Sequence, residues 1–233
     1  MPALVLLPGY LCDDDLWTDM RPALDAIGPV GFGDLTTKGM LEGLAEEVLA
    51  AAPERFVLVG FSMGGYVARV VAAVAPERVI ALALLNTSAR ANTAHEVARN
   101  RRRVATLRDM PFKGLSRAAV AEALHPDRWG DTALLDRIEA MALRVGKQGM
   151  LNQTGLVRDD GHAQLERIDC PTLVVASRQD TLRPVAEIER MVRHLRHPTY
   201  RILEDCGHMS PLEKPAELAA ILTDWLAAES LLD

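Results

Sequence analysis

Gly60-Phe61-Ser62-Met63-Gly64-Gly65 separates two segments of opposite character. Residues 55–61 before it form an apolar run of strand length, and residues 63–75 after it carry helical spacing. The pattern is Gly-x-Ser-x-Gly on a strand-to-helix turn, the context of a nucleophile elbow. Three fixed positions of this kind arise by accident in roughly one chain of this length in ten, so the flanking strand and helix carry the argument. The chemistry explains the glycines. A serine on such a turn sits in strained backbone, and bulky residues two positions away would clash. Its hydroxyl reaches the N-terminus of the next helix, where developing negative charge is favoured. The backbone N–H of Met63 then points at the reacting carbonyl oxygen.

Outward from this turn, short apolar runs alternate with helix-period segments. Residues 3–7, 29–32, 55–61, 79–85, 172–177 and 199–203 read as strands. Residues 16–27, 41–52, 63–75, 185–195 and 216–227 read as helices. The run 79–85 is apolar throughout, as expected when both faces of a strand are covered. Such alternation predicts the α/β class: a mostly parallel open sheet of about six strands with helices on both faces. Residues 87–168 break the rhythm. They hold no convincing strand, and their helical spacing is interrupted at Pro111, Gly114, Pro126, Gly130 and Gly146. The expected division is a core of residues 1–86 and 169–233 with an inserted helical cap or lid, 87–168.

A serine hydroxyl needs a base, and histidine is the usual one. Six histidines are present, at 95, 125, 162, 194, 197 and 208. His208 follows the strand 199–203 by a short loop. In an open parallel sheet, loops at the carboxyl ends of strands share one crevice, which brings Ser62 and His208 to the same edge. The third member orients the imidazole. Asp180 follows the strand 172–177 at that edge and gives the chain order Ser…Asp…His. Asp180 could instead form a turn or pair with Arg178 or Arg183. Glu204 and Asp205 are rival acids, but they lie so close to His208 that they would more naturally shape its loop. A second oxyanion donor is expected after the first strand, in Pro8-Gly9-Tyr10-Leu11, with the N–H of Tyr10 first and that of Leu11 second. Cys12 lacks an elbow to present it as a nucleophile.

Composition excludes other classes. Of 233 residues, 49% are hydrophobic and 25% charged, which is ordinary for a globular chain. A net charge of −6 and 4% aromatics argue against a nucleic-acid partner. Three cysteines (Cys12, Cys170, Cys206) do not make a disulfide framework, so the expected compartment is cytoplasmic. The N-terminus reads as a strand rather than a signal peptide. The apolar run 79–85 is far short of the ~18–20 residues a membrane helix needs. No metal-ligand spacing and no phosphate-cradling loop appears, so neither metal nor cofactor is expected. Charge is uneven along the chain. Residues 87–164 hold thirteen Lys/Arg against nine Asp/Glu, a net of +4, which leaves −10 for the remainder.

The chain resembles the α/β-hydrolase superfamily in its serine-nucleophile, esterase-like branch with a helical cap. The resemblance rests on Leu6-Leu7-Pro8-Gly9-Tyr10, on Gly60 to Gly65, on Asp180, and on Gly207-His208 with Glu213 and Pro215 behind it. It implies Ser62 as nucleophile, His208 as base, Asp180 as its orienter, and Tyr10 and Met63 as oxyanion donors. Three departures stand out. The usual His-Gly before the oxyanion residue is Pro8-Gly9. The Asp-x-x-Gly-x-Gly-x-Ser loop is absent after Gly31-Phe32-Gly33-Asp34. The sheet starts at the family's third strand, without the N-terminal hairpin, and 29–32 falls on an edge.

The expected activity is hydrolysis of a small carboxylic ester, thioester or lactone through an acyl-enzyme on Ser62. A second reading is a C–C bond hydrolase, lyase or acyltransferase using the same triad on an anionic substrate. Arg99, Arg101, Arg102 and Arg103 are compatible with it, although helical neighbours diverge by 100° and cannot all face one pocket. A third reading is a non-catalytic small-ligand receptor. The pocket is expected under the cap, lined by Leu11, Phe112, Met141, Leu143 and Met209. The expected partner is a small-molecule substrate, with neither nucleic acid nor membrane, for a monomer or homodimer.

Overall fold

In a computed structural model that describes residues 1–232, six parallel strands form one sheet in the order β2-β1-β3-β4-β5-β6. These are β1 (Ala3–Leu7), β2 (Val30–Phe32), β3 (Phe56–Phe61), β4 (Val79–Leu85), β5 (Thr172–Ser177) and β6 (Pro198–Leu203). The helices are α1 (Arg21–Ile27), α2 (Leu41–Ala51), α3 (Met63–Val74), α4 (Ala94–Asp109), α5 (Arg117–Ala121), α6 (Thr132–Gly155), α7 (His162–Leu165), α8 (Val185–Val192), α9 (Ser210–Glu213) and α10 (Pro215–Ala228). The expected fold class is the observed one, with β2 on an edge. Strand order reverses between β1 and β3, so the crevice beyond their carboxyl ends is the natural place for a ligand.

Alternation along each strand fills both layers. Val57, Val59 and Phe61 of β3 face one core with Leu4, Leu6, Leu173 and Val175, under α1 and α10. Phe56 and Leu58 face the other with Val5, Leu7 and Val174, under α2, α3 and α8. One expected helix is divided. Residues 16–27 form a 3-10 turn, Asp14–Met20, followed by α1. Pro22 is the reason, because it lacks an N–H and its ring opposes the carbonyl of the preceding turn. The apolar spacing still holds: Leu16, Met20, Leu24 and Ile27 are all buried.

Between β4 and β5 the described residues form helices and no strand. The α6 helix breaks at Gly146, where φ is 75°. Its apolar side (Leu134, Leu135, Ile138 and Met141) joins the core of the sheet. Charge supports this docking. Arg137 pairs with Asp15 at 3.0 Å and Asp19 at 2.5 Å, and Arg144 with Asp13 at 2.5 Å and Asp15 at 3.0 Å. In contrast, α4 has no buried residue. A capping box of Thr93 and Glu96 holds its start. Lys147 Nζ holds its end by donating to the carbonyls of Arg108 and Met110 at 2.7 and 2.9 Å.

Two junctions at the carboxyl edge are tightly built. After β3, Ser62 sits at φ 50°, ψ −109°. Its N–H donates to Leu85 O at 2.9 Å, and Thr87 Oγ1 donates to its carbonyl at 2.7 Å. A Cβ on Gly60 would lie 2.6 Å from Gly64 O, and one on Gly64 would lie 2.3 Å from Leu7 O. Both obstacles are backbone, so neither position tolerates a side chain. After β6, Asp205 turns the chain at φ 48°. The buried Glu213 carboxylate then accepts from Gly207 N (3.2 Å), Met209 N (3.0 Å) and His125 N (2.7 Å). His208 N donates to Ala123 O at 2.8 Å. Burial raises the Glu213 carboxyl above its ordinary value, and these three donors offset only part of that rise.

Gly64→Ala is expected to cost at least about 2 kcal/mol by overpacking, roughly 4–8 °C in Tm. Glu213→Ala strands three N–H groups and should lower Tm by on the order of 10 °C, with Glu213→Gln in between. Thermal melts of the two Glu213 variants in that rank order are the check; an unchanged Tm for Glu213→Ala would refute the clamp.

Candidate active site

Three strand ends converge on one line of hydrogen bonds. Ser62 Oγ lies 2.8 Å from His208 Nε2, and His208 Nδ1 lies 2.8 Å from Asp180 Oδ2. All three are nearly enclosed, at 6%, 5% and 4% exposure for Ser62, His208 and Asp180. Burial alone would raise the Asp180 carboxyl. The His208 imidazole, the Asn86 amide and the Arg183 N–H outweigh it and hold Asp180 below the usual carboxylate range. An ionised Asp180 can only accept, so His208 Nδ1 carries the hydrogen and Nε2 is free to accept from the Ser62 hydroxyl. Phe61 packs its ring 5.2 Å from the imidazole.

The alternatives left open for the acid are now separated. Arg178 pairs with Glu204 at 2.8 Å, out in solvent, and Asp205 is exposed in the turn. Arg183 reaches Asp180 through its backbone N–H at 2.8 Å, as Leu182 does, while its guanidinium goes elsewhere. Asn86 was missed by sequence reasoning. Its Nδ2 donates to Asp180 Oδ2 and Ser177 Oγ, each at 2.9 Å, and its Oδ1 accepts from Ser210 Oγ at 2.6 Å. It directly follows β4, so the edge rule that singled out Ser62 and Asp180 would have found it.

The N–H groups of Tyr10 and Met63 have no acceptor among the described residues. The second choice, Leu11, is already engaged. Its N–H donates to Gln153 Oε1 at 2.9 Å, while Gln153 Nε2 donates to Leu35 O. Cys12 and Cys206 are buried, and burial pushes each thiol up to about 12, so neither is a thiolate near neutrality. Among the described residues no cluster of three or more His, Cys, Asp or Glu is placed to hold a metal, and no helix is long and apolar enough to cross a membrane.

A cavity of about 320 Å³ opens on Ser62 and His208, with Tyr10 and Met63 in its wall. Its other walls correct the expected apolar pocket. None of the five anticipated residues lines it. Leu11 is fully buried against Ala142 and Met150, with Phe112 packed on that cluster. Met141 and Met209 belong to the core of the sheet, and Leu143 is 54% exposed. The apolar stripe of α6 is spent on docking to the sheet and is not available to the cavity. Arg99, Arg103, Arg158 and Arg183 take that place, with Tyr66, Thr154 and Glu96. Of the four arginines singled out on α4, only Arg99 and Arg103 reach this cavity, one turn apart on one face.

Comparison with known proteins agrees with the geometry. The sequence model described as the alpha/beta hydrolase family matches residues 4–221. A pimeloyl-[acyl-carrier protein] methyl ester esterase of Neisseria meningitidis is 26% identical over 238 residues, covering 95% of this chain and 92% of the esterase. A thermophilic esterase from Thermogutta terrifontis shares the fold with a TM-score of 0.89 at 24% identity, over 100% of this chain and 91% of that one. The enol-lactonase from Burkholderia xenovorans LB400 superposes with a TM-score of 0.87 at 22% identity, over 97% and 91% of the two chains. With nearly its whole length matched, the chain belongs to the alpha/beta hydrolase family and is a hydrolytic enzyme.

Proposed function

We propose that the protein hydrolyses a small carboxylic ester, with Ser62 as nucleophile, His208 as general base and acid, and Asp180 as the group that orients His208. The observation that carries this reading is the unbroken hydrogen-bond line from Ser62 Oγ through His208 to Asp180, opening on a cavity. The named esterases among the relatives support the ester as the scissile group.

The chemistry follows from the groups present. His208 Nε2 takes the Ser62 proton as Oγ attacks the ester carbonyl. Asp180 stabilises the imidazolium without itself taking the proton. The carbonyl oxygen gains negative charge and meets the N–H groups of Tyr10 and Met63, which have no competing acceptor to give up. Met63 opens α3, so the partial positive charge of the helix start adds to its N–H. The imidazolium returns its proton to the leaving alkoxide, and the alcohol departs. Water then gives a proton to His208 as it adds to the acyl carbonyl, and on collapse the imidazolium returns that proton to Ser62 Oγ, which leaves as the acid is released.

A fluorophosphonate probe is expected to label Ser62, and short p-nitrophenyl esters should be turned over. Ser62→Ala and His208→Ala should each lose at least about 10³-fold in kcat/KM. Neither an adduct on Ser62 nor turnover of any ester would defeat the reading. Asp180 also leaves a signature in stability. A carboxyl held below its ordinary value of 3.8 stabilises the fold above that pH, and this contribution is lost as pH falls through the lowered value. Melting curves of wild type and Asp180→Asn between pH 3 and 8 should therefore converge only below about pH 4.

A further inference from the structure

Several arginines elsewhere in this chain find acids, whereas Arg69 bonds the neutral Gln164 amide and Arg78 bonds backbone carbonyls. Arg117, Arg128, Arg137, Arg144 and Arg178 all pair with Asp or Glu. The cavity beside Ser62 is different. The Tyr66 hydroxyl accepts from Arg183 Nε at 2.7 Å and also from an Nη of Arg158. The two guanidinium carbons stand 4.5 Å (Arg158) and 5.5 Å (Arg183) from the Tyr66 ring centroid. Two like charges thus share one phenol oxygen, which repulsion disfavours. Their remaining partners are neutral: Asn92 Oδ1 for Arg158 and Leu182 O for Arg183. Among the described residues neither has a carboxylate, and Arg99 and Arg103 across the cavity have no ion pair.

Glu96 is the one carboxylate in the lining, and it is already occupied. Arg90 takes both its oxygens at 2.7 and 2.8 Å, and the Thr93 N–H donates to it at 2.8 Å. Burial, with repulsion from Arg183 and Arg90, pushes the Arg158 guanidinium below the ordinary arginine value despite help from Tyr66 and, through space, from Glu96. An anion beside Arg158 would relieve both the desolvation and the repulsion. A guanidinium fork matches the two oxygens of a carboxylate.

We propose that Arg158 and Arg183, clasped on Tyr66, form an anion subsite, and that the ester cleaved at Ser62 carries a free carboxylate held there. This rests on the hydrolase reading above for the ester, but on the cavity alone for the carboxylate. Arg99 and Arg103 add positive potential on the α4 side. The neutral relative of such a substrate, with the carboxylate esterified, leaves the guanidiniums unpaired and loses the contact.

Calorimetry on Ser62→Ala separates the two parts. The probes are monomethyl adipate against dimethyl adipate, with the carboxylate on the acyl side, and acetoxyacetate against its methyl ester, with the carboxylate on the alcohol side. The charged member of at least one pair is expected to bind about tenfold or more tighter than its neutral partner. Arg158→Gln in that background should cut this ratio by about tenfold. Arg183→Gln should do the same, and it retains the Arg158–Asn92 contact should that contact be needed for folding. Equal affinity within both pairs, or a ratio unmoved by both substitutions, would overturn the subsite. Turnover of the same compounds by the wild type tests the other part: selective binding with no hydrolysis, where p-nitrophenyl esters are cleaved, would support the subsite and overturn the claim that the ester cleaved at Ser62 carries the carboxylate.

Discussion

Ser62 occupies a backbone conformation that L-residues avoid, at φ 50° and ψ −109°, and much of the surrounding structure serves to hold it there. Its N–H is tied to the end of β4 and its carbonyl to the Thr87 side chain. Gly60 and Gly64 let β1, β3 and α3 approach until backbone meets backbone. Such strain persists only when neighbours over-determine it. Here the neighbours are the central strands of a sheet buried on both faces, the part of the molecule least able to relax. The return is direction: the hydroxyl stands clear of the sheet edge and toward His208.

The rest of the line is held with comparable redundancy. Asp180 accepts from His208, Asn86, Leu182 and Arg183, so each of its oxygens has two donors. Glu213 fixes both sides of His208 and ties that loop to the backbone N–H of His125. A fully satisfied buried polar network rigidifies, whereas one with a missing partner is costly. The facing wall of the cavity is built on the opposite principle. Its guanidiniums are gathered beside a neutral hydroxyl with no acid supplied. Within one cavity, the groups of the hydrogen-bond line have every partner in place while the arginines facing them do not.

Sequence pattern reached the fold and the converging side chains because both depend on short-range rules. Strand runs at 55–61 and 79–85 are apolar at nearly every position, and the edge rule places the residues just after each strand in one crevice. Pattern failed at 16–27, where the apolar spacing survived but Pro22 forced a change of helix type. It also failed in the cavity. Met141 and Leu143 sit two residues apart on α6, yet one is in the core and the other in solvent. Which face of a helix meets the sheet depends on how the whole segment docks. That docking joins Leu134, Leu135, Ile138 and Met141 to the core, with Arg137 and Arg144 meeting Asp13, Asp15 and Asp19 at its rim, partners more than a hundred residues away. Arg158 was hidden for a related reason: it lies in an irregular stretch, where no period marks a face.

The α4 helix buries no residue fully, and Leu107, half-buried, packs on the small cluster of Leu11, Ala142 and Met150. It is held at its two ends, by Glu96 with Arg90 and by Lys147 on the last carbonyls, while its middle carries Arg99 and Arg103 over the cavity. Folding free energy and the charge of the cavity wall are therefore written largely in different residues. A change at Gly64 disturbs the fold and the turn at Ser62 at once, whereas the outward turns of α4 can exchange one charge or size for another with little effect on the sheet beneath. Such a division leaves the cavity wall on the α4 side open to redesign without a change in the sheet that holds Ser62, which makes α4 the natural element to vary.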